Sequence, residues 1–497
     1  MNELTLALQD VFSLASIAAL VIGLVFGYVV GVLPGLNRVT ALAIALPFTY
    51  HTTPLAAIAL LIGISKGGAA GGAITSILLN TPGEPSSAAT CLDGYPCARQ
   101  GRARKALTIA LYAAFFGDLF ATVVLILVAA PLAKMALQMG PIEICSVLFF
   151  SLTFIAALSG NSLTKGLIAG LLGIFVSSVG LDVETAIPRL TFGFIELQDG
   201  IPLLAVGVGT LAISEMMIQI EQVVTRPGGP AAALQSGAAR EEGLNWSELK
   251  ASLRSMLRSS VVGTVIGILP GLGATIASFL GYALAKRASK HPERFGQGEL
   301  DGVAASEAAD NSVTASALIP LFALGIPGSV AAAMLIGALM VHGVTPGPLM
   351  FEQNPRLIYG IYGTIMLASF VMLPIGRLGL NVFARLTRVP DVILCPVIVY
   401  LCFLGAYMEG NGMFAVWLAI IFGVFGYAMK KMDLSFVTFL IGFILGPMIE
   451  LRLRQSLILI QGNWAVLLQH PVALVFALLT VLAAWRLSRM ASLQGKG

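Results

Sequence analysis

The sequence predicts an all-α polytopic membrane protein with two inverted-topology repeats, broken or re-entrant helices, and one extra C-terminal span. Two observations place it in the membrane: the 497 residues are 57% hydrophobic and 11% charged, and the mean hydropathy is +0.91. Soluble globular chains carry roughly 25% charged residues. A third observation predicts the repeats, because residues 31–36 read GVLPGL and residues 267–272 read GILPGL, both in apolar surroundings.

The composition favours neither an enzyme nor a nucleic-acid-binding protein. The sequence has no Walker loop, no glycine-rich nucleotide fingerprint and no long soluble segment that could form an ATPase domain. Its five cysteines form no CxxC pair, and no histidine cluster has zinc-like spacing, so no resident metal or other cofactor is expected. No basic leader precedes the first apolar run, which is therefore expected to be retained.

Basic residues gather in a few polar segments and predict the orientation of the chain. By the positive-inside rule these segments face the cytoplasm; they are 99–105, 222–258, 286–294, 377–388 and 430–431. Four apolar runs between the first two segments are long enough, or nearly so, to cross the membrane in alternation; they are 106–131, 142–158, 167–181 and 201–221. The N-terminus, which has no basic residue before Arg38, is then periplasmic and the C-terminus cytoplasmic.

The Leu-Pro-Gly-Leu motifs predict a break in two apolar helices. Proline removes a backbone donor and clashes with the preceding turn, and glycine disfavours a regular helix. Residues 13–50 and 259–285 each begin and end in loops of the same charge character, so each run is expected to leave and re-enter the same side. The predicted break positions are Leu33, Pro34, Gly35, Leu269, Pro270 and Gly271.

A second pair of motifs follows the first at nearly the same spacing. The Pro-Gly pairs at 82–83 and 327–328 lie 245 residues apart, against 236 residues for the Leu-Pro-Gly-Leu motifs. The loop after the first pair, 99–105, is basic, whereas the loop after the second, 343–357, is nearly free of basic residues. This reversal of charge predicts that the second half is inverted relative to the first.

These patterns divide the chain into four parts. The parts are a first transmembrane repeat (1–221), a cytoplasmic linker (222–258), a second, inverted transmembrane repeat (259–449), and an extra C-terminal span with its tail (450–497). The scheme places Arg452 and Arg454 on the periplasmic side, against the charge rule.

Paired helix breaks predict a transport site. A break leaves backbone amides and carbonyls without partners at membrane depth, so it is tolerated only where protein, water or a ligand satisfies them. The N-terminus of a half-helix carries positive partial charge and suits a carboxylate, while unwound carbonyls suit a cation. Broken helices that recur in two inverted halves are typical of secondary transporters.

The polar residues beside the breaks are candidates for this site, although each could instead form an ordinary interhelical hydrogen bond. The candidates for substrate binding are Lys66, Asn80, Thr81, Pro82, Gly83, Glu84, Ser86, Ser87, Gly325, Pro327, Gly328 and Ser329. The candidates for the coupling ion are Asn80, Asp310 and Asn311. Lys66 lies in an apolar run, where an unpaired ammonium is costly. It could bind an anionic substrate, pair with Glu84 or Asp93, or extend to the interface.

Three long stretches resemble the large membrane subunit of the tripartite tricarboxylate transporters. They are GGAITSILLNTPGEPSSAATCLDGYPCARQGRARKAL (71–107), GVAASEAADNSVTASALIPLFALGIPG (302–328) and RQSLILIQGN (454–463). The residues at the family's motif positions are Asn80, Pro82, Gly83, Glu84, Ser86, Ser87, Asp93, Gly94, Gly325, Pro327 and Gly328. The chain departs from the family pattern at Lys66, where a neutral residue is expected, and at Ser306 and Asp310, which replace Pro and Asn.

This resemblance implies a secondary transporter of the bacterial inner membrane that does not hydrolyse ATP. It implies two protein partners, a small four-span membrane subunit and a periplasmic solute-binding protein that delivers a carboxylate. The resulting hypothesis is carboxylate import driven by a gradient of Na⁺ or H⁺. The alternative hypothesis is a stand-alone channel or export carrier for small organic anions.

Overall fold

The computed structural model describes residues 2–33, 36–158, 163–182, 184–225, 243–270, 273–386, 391–408 and 412–494. Before the linker, the helices are α1 (Asn2–Val11), α2 (Leu14–Val32), α3 (Arg38–Ala45), α4 (Pro54–Leu79), α5 (Ala88–Cys97), α6 (Ala103–Ala136), α7 (Pro141–Leu158), α8 (Leu163–Ser177), α9 (Leu203–Gly207) and α10 (Ser214–Thr225). After it, they are α11 (Trp246–Ile268), α12 (Gly273–Ala288), α13 (Leu300–Ser316), α14 (Leu318–Leu324), α15 (Val330–Val341), α16 (Met350–Gln353), α17 (Pro355–Leu386), α18 (Asp391–Met408), α19 (Gly412–Lys431), α20 (Phe436–Ile460) and α21 (Pro471–Gln494). The described strands, β1 (Gly180–Leu181) and β2 (Pro188–Arg189), form an antiparallel ribbon.

The protein is an all-α polytopic membrane protein, as its composition predicted. Seven described helical segments are long and apolar enough to cross a bilayer, and six shorter apolar helices accompany them. The seven segments are Leu14–Val32, Pro54–Leu79, Pro85–Ala136, Leu203–Glu221, Pro355–Leu380, Gly412–Lys431 and Phe436–Ile460. The predicted span 167–181 corresponds to α8 and ends earlier than expected, because Gly180–Leu181 pairs with the second strand of the ribbon.

The polar linker predicted at 222–258 is shorter in the structure. Helix α10 continues to Thr225, and α11 begins at Trp246, so the stretch from Trp246 to residue 258 is helical rather than linker. Asn245 and Glu248 start α11 with reciprocal side-chain to backbone hydrogen bonds. Residues 226–242 lie outside the described residues.

The helices that precede the two Leu-Pro-Gly-Leu motifs end with the same backbone geometry. Leu33 has φ −84° and ψ 118°, and Leu269 has φ −86° and ψ 110°. The amide of each leucine donates to the carbonyl three residues earlier, at 3.1 Å in both cases. Both helices therefore end at the predicted breaks. Pro34, Gly35 and Gly271 lie outside the described residues, whereas Pro270 is described and buried.

Helices α2 and α4 pack in parallel, so the chain between them returns to its starting end. A Cβ atom on Gly23 would overlap the Leu60 carbonyl oxygen, and one on Gly31 would overlap that of Gly68. The numbers of the contacting residues increase in the same direction along both helices, which shows that the helices are parallel. Only glycine permits this close backbone approach. Because α2 and α4 start at the same end of the bundle, the chain turns back between them after the first break.

The second half repeats this arrangement. A Cβ atom on Gly263 would overlap the Ala309 carbonyl oxygen, and Gly267 lies against Val313 one helical turn further along. Helices α11 and α13 therefore also run in parallel, and α12 lies between them in sequence. The chain therefore also turns back between these two helices, after the second break.

The two halves run in opposite directions. Helix α6 packs antiparallel to α17, since Tyr112 contacts Arg377 while Phe115, one turn later, contacts Phe370, which precedes Arg377. Helix α6 runs parallel to α13 of the other half, and α4 runs parallel to α17. It follows that α4 and α13, the corresponding helices of the two halves, point in opposite directions.

Ion pairs near the helix ends show which helix ends lie together, at one end of the bundle or the other. At one end, here called the linker end, Lys105 pairs with Glu248 and Lys431 with Glu221. At the other, the N-terminal end, Asp10 pairs with Arg356. Arg454 also lies at the N-terminal end, where the carboxylates of Asp182, Glu184 and Glu450 surround it. These three acids explain how an arginine occupies the end that the charge rule disfavours.

Candidate functional site

Each Pro-Gly motif follows a helix that ends in a left-handed residue. Helix α4 ends at Asn80, with φ 54°, and α14 ends at Gly325, with φ 75°. Beyond the second motif, the Ser329 hydroxyl accepts a hydrogen bond from the Ala332 amide at 3.2 Å. Ser329 thus caps α15. Beyond the first motif, the 3₁₀ turn Pro85–Ser87 leads into α5.

The Pro-Gly motif of each half packs against the helix that precedes the Leu-Pro-Gly-Leu break of the same half. A Cβ atom on Gly83 would lie 2.5 Å from the Gly31 carbonyl oxygen, and one on Gly328 would lie 3.0 Å from that of Gly267. Gly31 and Gly267 are the first residues of the two repeated GxLPGL sequences. The two kinds of break therefore meet inside each half.

Arg38 is the cation at the centre of the polar residues near the first break. It begins α3, directly after Asn37, whose side chain accepts hydrogen bonds from the Val39 and Thr40 amides. The Arg38 amide donates to Glu84 Oε1 at 2.7 Å, and Arg38 Nε lies 2.7 Å from Glu84 Oε2. Its NH2 donates to Asp310 Oδ1 at 3.2 Å. Arg38 therefore links the first Pro-Gly loop to helix α13 of the second half.

Further hydrogen bonds extend this contact between the halves. Ser86 Oγ donates to Asp310 Oδ2 at 2.9 Å. Thr90 Oγ1 donates to Glu307 Oε1 at 2.5 Å and lies 2.9 Å from Ser306 Oγ. The residues of this contact, here called the Arg38 cluster, are Arg38, Glu84, Ser86, Thr90, Ser306, Glu307, Asp310, Asn311 and Thr314. All are buried except Thr314, which is partly exposed.

Lys66 pairs with a residue that the sequence did not indicate. Its Nζ donates to Asp118 Oδ2 and to the Ile365 carbonyl oxygen, both at 2.6 Å, and to Ser369 Oγ at 2.9 Å. Lys66 is 2% exposed and Asp118 is 1% exposed. The suggested partners, Glu84 and Asp93, are wrong as ion-pair partners, because Lys66 faces α6 and α17. Three helices meet at this buried ammonium.

Asp93 serves as an anchor between the halves. Its Oδ1 accepts hydrogen bonds from the amides of Gly296, Gly298 and Glu299, each at 2.8 Å. These amides precede the first turn of α13. The motif residue Asp93 therefore fixes the start of the helix that carries Glu307 and Asp310.

The structure brings some of the predicted site residues together and separates others. Glu84, Ser86, Asp310 and Asn311 lie in the Arg38 cluster, whereas Asn80 is exposed at the end of α4. The other exposed candidates are Thr81 and Pro82; the other buried ones are Gly83, Ser87, Gly325, Pro327 and Gly328, and Ser329 is intermediate. No contact among the described residues joins Asn80 to Asp310 or Asn311. The amide of Gly328 already donates to the Ala317 carbonyl oxygen at 3.3 Å.

Sequence reasoning missed three charged residues that the geometry places at these buried contacts. They are Arg38, Asp118 and Glu307. The signal for Arg38 was its position, since it is a basic residue within an apolar run, directly after LPGLN. Asp118 and Glu307 are acidic residues in apolar segments, where an ionisable group is costly and usually functional.

A separate cavity of about 410 Å³ opens at the N-terminal end of the bundle. It lies between α20 and the segment that joins α8 to α9 and contains the two strands, here called the ribbon loop. Its charged lining includes Asp182, Arg189, Glu450 and Arg454. Arg189 NH1 donates to Glu450 Oε1 at 2.6 Å, and Arg454 NH2 donates to Asp182 Oδ2 at 2.7 Å. These ion pairs hold the ribbon loop against α20.

A many-span membrane protein whose buried charges gather beside paired helix breaks has the architecture of a secondary transporter. The comparison with protein families is more specific. The chain belongs to the tripartite tricarboxylate transporter TctA family, whose model matches residues 17–441. This membership makes it a subunit of a multi-subunit transport system.

Two curated relatives come from Agrobacterium vitis. One, described as an uncharacterised 52.8 kDa protein in the TAR-I ttuC′ 3′ region, is 32% identical over 472 residues, which are 95% of this chain and 93% of the relative. The other, an uncharacterised protein in the TAR-II ttuC′ 3′ region, is 33% identical over 205 residues, 41% of this chain and 85% of the relative. No solved structure matches the chain significantly.

Proposed function

We propose that this chain is the large transmembrane subunit of a binding-protein-dependent secondary transporter that imports a carboxylate. The substrate is a di- or tricarboxylate or a related organic acid, and a gradient of Na⁺ or H⁺ drives its accumulation. The other components are a small four-span membrane subunit and a periplasmic solute-binding protein. The complex lies in the bacterial inner membrane, with the N-terminus of this chain in the periplasm and its C-terminus in the cytoplasm.

The observation that carries this proposal is the Arg38 cluster, which lies beside the helix breaks at the contact between the halves. A guanidinium recognises carboxylates through paired, charge-assisted hydrogen bonds. The Arg38 side chain is 11% exposed and therefore not fully enclosed. Glu84 and Asp310 hold it in place in this structure, and a substrate carboxylate is the third anion that it binds during transport.

The directions of the helices support an inverted-repeat mechanism. Helices α4 and α13 run in opposite directions, and each packs against the long helix of the other half, α17 and α6 respectively. In transporters built from inverted repeats, the substrate site at the contact between the repeats opens alternately to either side. The same two-fold design supports an elevator-like or rocking movement of the broken-helix regions here.

The test is uptake by the reconstituted complex. Proteoliposomes contain this chain, the small subunit or both, and they receive labelled di- and tricarboxylates with or without the binding protein under a Na⁺ gradient, a pH gradient or neither. We expect accumulation only when all three proteins and one ion gradient are present. Movement of the acid through this chain alone would instead establish a channel or an export carrier.

A further inference from the structure

We propose that Glu307 carries the coupling proton of this transporter, at the contact between the two halves. The inference rests on the proposed function, since it names the coupling ion of the same site. It assigns a role to a residue that the motif pattern did not indicate and selects H⁺ from the two candidate ions.

The first argument is the balance of charge in the Arg38 cluster. The cluster contains three carboxylates, those of Glu84, Glu307 and Asp310, but one guanidinium. Arg38 contacts Glu84 and Asp310, while Glu307 contacts hydroxyl and amide groups. Lys66 does not supply the missing charge, because Asp118 neutralises it. Buried carboxylates without a counter-charge are strongly destabilised, so the cluster binds a cation.

The second argument is the space around Glu307, which fits a proton and not a hydrated metal ion. Glu307 is 0% exposed and borders a cavity of about 10 Å³ whose other lining residues include Tyr28, Ala70, Leu107 and Leu380. A single water molecule needs roughly 10–15 Å³. The lining residues are apolar apart from Glu307 and Tyr28, and the Tyr28 hydroxyl donates to the Met372 carbonyl oxygen. Such surroundings favour the neutral, protonated form of a carboxyl group.

The oxygen atoms near Glu307 already form hydrogen bonds with one another. Thr90 Oγ1 donates to Glu307 Oε1 at 2.5 Å and lies 2.9 Å from Ser306 Oγ. A metal ion bound by Glu307 would have to replace the hydrogen bond from Thr90, whereas a proton on Glu307 leaves these oxygens in place. In the described part of the chain, no group of three or more acidic, cysteine or histidine side chains has metal-binding spacing.

A third observation shows that the cluster has unused hydrogen-bonding capacity. The Ser87 hydroxyl is completely buried and has no hydrogen-bond partner among the described residues. It lies beside Glu84, because both side chains border the space that a Cβ atom on Gly72 would fill. A buried hydroxyl without a partner is unfavourable. Ser87, which borders the cluster, therefore offers a donor to Glu84 if a substrate carboxylate takes the place of Glu84 at Arg38.

The titratable and charged groups near Glu307 come from several elements. Those that interact with it or share its cavity are Tyr28 on α2, Arg38 on α3, Glu84 in the Pro-Gly loop, Cys91 on α5 and Asp310 on α13. Other such groups lie on the helices packed against α13; they are Lys66 on α4, Asp93 on α5, Asp118 on α6 and Tyr282 on α12. In this structure Arg38 pairs with Glu84 and Asp310, Lys66 pairs with Asp118, and Asp93 accepts backbone amides, whereas Glu307 has no cationic partner among the described residues. Glu307 is therefore the group whose charge is free to vary.

This arrangement couples the proton to the substrate. The Glu307 carboxylate accepts one proton from the outer side and releases it to the inner side, with no other bond made or broken. Without that proton, the negative charge of Glu307 repels a substrate carboxylate at Arg38. Asp310, three residues after Glu307 on α13, contacts Arg38 directly. Because binding linkage is reciprocal, a bound substrate raises the proton affinity of Glu307 by the same factor.

Two measurements test this proposal. The first is infrared titration of the purified chain from mildly acidic to alkaline pH, which follows the carbonyl stretch of protonated carboxyl groups. The second compares proton-driven accumulation with substrate exchange at equilibrium in the reconstituted complex. The variants are Glu307→Gln, which mimics the protonated side chain, and the control Glu352→Gln, which removes an exposed acid in the short helix α16.

We expect one protonated carboxyl band to persist at neutral pH in the native chain and in Glu352→Gln, and to be missing in Glu307→Gln. We also expect Glu307→Gln to lose proton-driven accumulation while it retains exchange. Accumulation in Glu307→Gln at the native level, or the native band unchanged in that variant, would overturn the assignment. A native complex that responds to Na⁺ alone would overturn the choice of H⁺ but leave the proposed transport function intact. A native complex that neither accumulates nor exchanges the acid would overturn the transport function itself.

Discussion

Arg38 and Asp310 lie 272 residues apart in the sequence, yet Arg38 NH2 donates a hydrogen bond to Asp310 Oδ1 at 3.2 Å. Arg38 begins the helix that follows the first Leu-Pro-Gly-Leu motif, and Asp310 lies in the helix that leads to the second Pro-Gly motif. One side-chain contact thus joins the broken regions of both halves.

Replacing Arg38 tests whether its guanidinium binds the substrate. Arg38→Lys keeps the positive charge but loses the planar fork that bonds to several acceptors at once. Loss of one charge-assisted hydrogen bond costs about 1.5–3 kcal/mol, so we expect the KM for the carboxylate to rise roughly tenfold or more. The measurement is concentration-dependent uptake by the reconstituted complex.

The control for this substitution is Arg104→Lys, at an exposed basic residue in the first turn of α6. It should leave uptake unchanged. An unaltered KM in Arg38→Lys would assign the guanidinium to holding Glu84 and Asp310 in place rather than to substrate binding.

The Pro-Gly motifs should tolerate no side chain at their glycines. A Cβ atom on Gly83 would lie 2.5 Å from both the Gly31 carbonyl oxygen and Thr75 Oγ1, so Gly83→Leu must displace the loop. Gly328→Leu meets the Ala317 carbonyl oxygen in the same way. We expect both variants to lose uptake while they still insert into the membrane, as shown by uptake assays and membrane fractionation.

Gly243→Ala is the matched control, because a Cβ atom there meets nothing within 4 Å and its φ lies outside the left-handed region. Normal transport in Gly83→Leu and Gly328→Leu would remove the Pro-Gly motifs from the transport site.

The opposite directions of the halves predict that two exposed positions face opposite sides of the membrane. A cysteine introduced at Arg104 should react with a membrane-impermeant thiol reagent from the cytoplasm, and one introduced at Glu352 should react from the periplasm. Both positions are exposed, and the native cysteines are buried apart from the half-buried Cys91. Labelling in oriented vesicles gives the answer. If both sites reacted from the same side, the inverted arrangement of the halves would be wrong.

The Lys66–Asp118 pair should behave as a unit. Lys66→Met leaves the Asp118 carboxylate buried without its counter-charge, which costs about 3–5 kcal/mol. We expect a lower thermal unfolding temperature in detergent for this variant and for Asp118→Leu. The double variant should recover much of the loss, since it buries no unpaired charge.

Uptake by the double variant distinguishes a structural role of Lys66 from a role in substrate binding. Recovery of both stability and uptake would limit Lys66 to joining α4, α6 and α17. Recovery of stability without uptake would support the sequence-based prediction that Lys66 binds the anionic substrate.

The ribbon loop at the N-terminal end should loosen in acid. Hydrogen bonds from the Arg454 side chain, and from the Thr185 and Glu184 amides, hold the pKa of Asp182 below its ordinary value. A depressed pKa means that the stabilisation is present above the unfolded-state pKa, about 3.9. It is lost as the pH falls from there through the lower folded-state pKa.

Hydrogen exchange of the Glu184 and Thr185 amides measures this change. We expect their protection to decrease in acid in the native chain and to be low at every pH in Asp182→Asn. Asp199→Asn changes an exposed acid of the same loop and should retain the native profile. A profile in Asp182→Asn that matches the native one would exclude Asp182 as the group responsible.

Local sequence signals predicted the helix breaks but not their long-range contacts. Proline and glycine act on the backbone where they stand, so Leu33 and Leu269 end their helices as expected. The partner of Lys66 depends on which side of α4 faces α6, and α4 is apolar on nearly all sides. A helix without an amphipathic pattern gives no such direction.

The polar linker shows a second limit of sequence reasoning. Its charged residues predicted a loop up to residue 258, yet α11 begins at Trp246 because Asn245 and Glu248 form a capping box. Charge content alone did not distinguish a solvent-exposed helical segment from a loop. The capping residues were visible in the sequence and would have placed the helix start correctly.

The exchange of long helices between the halves determines how such a protein can assemble. Because α4 packs on α17 and α13 packs on α6, the core of each half is completely packed only when the other half is present. A gene divided within the segment 226–242 should therefore yield two polypeptides that are stable only when made together and inserted in opposite orientations. Such a divided gene would mimic an assembly of two separate antiparallel subunits.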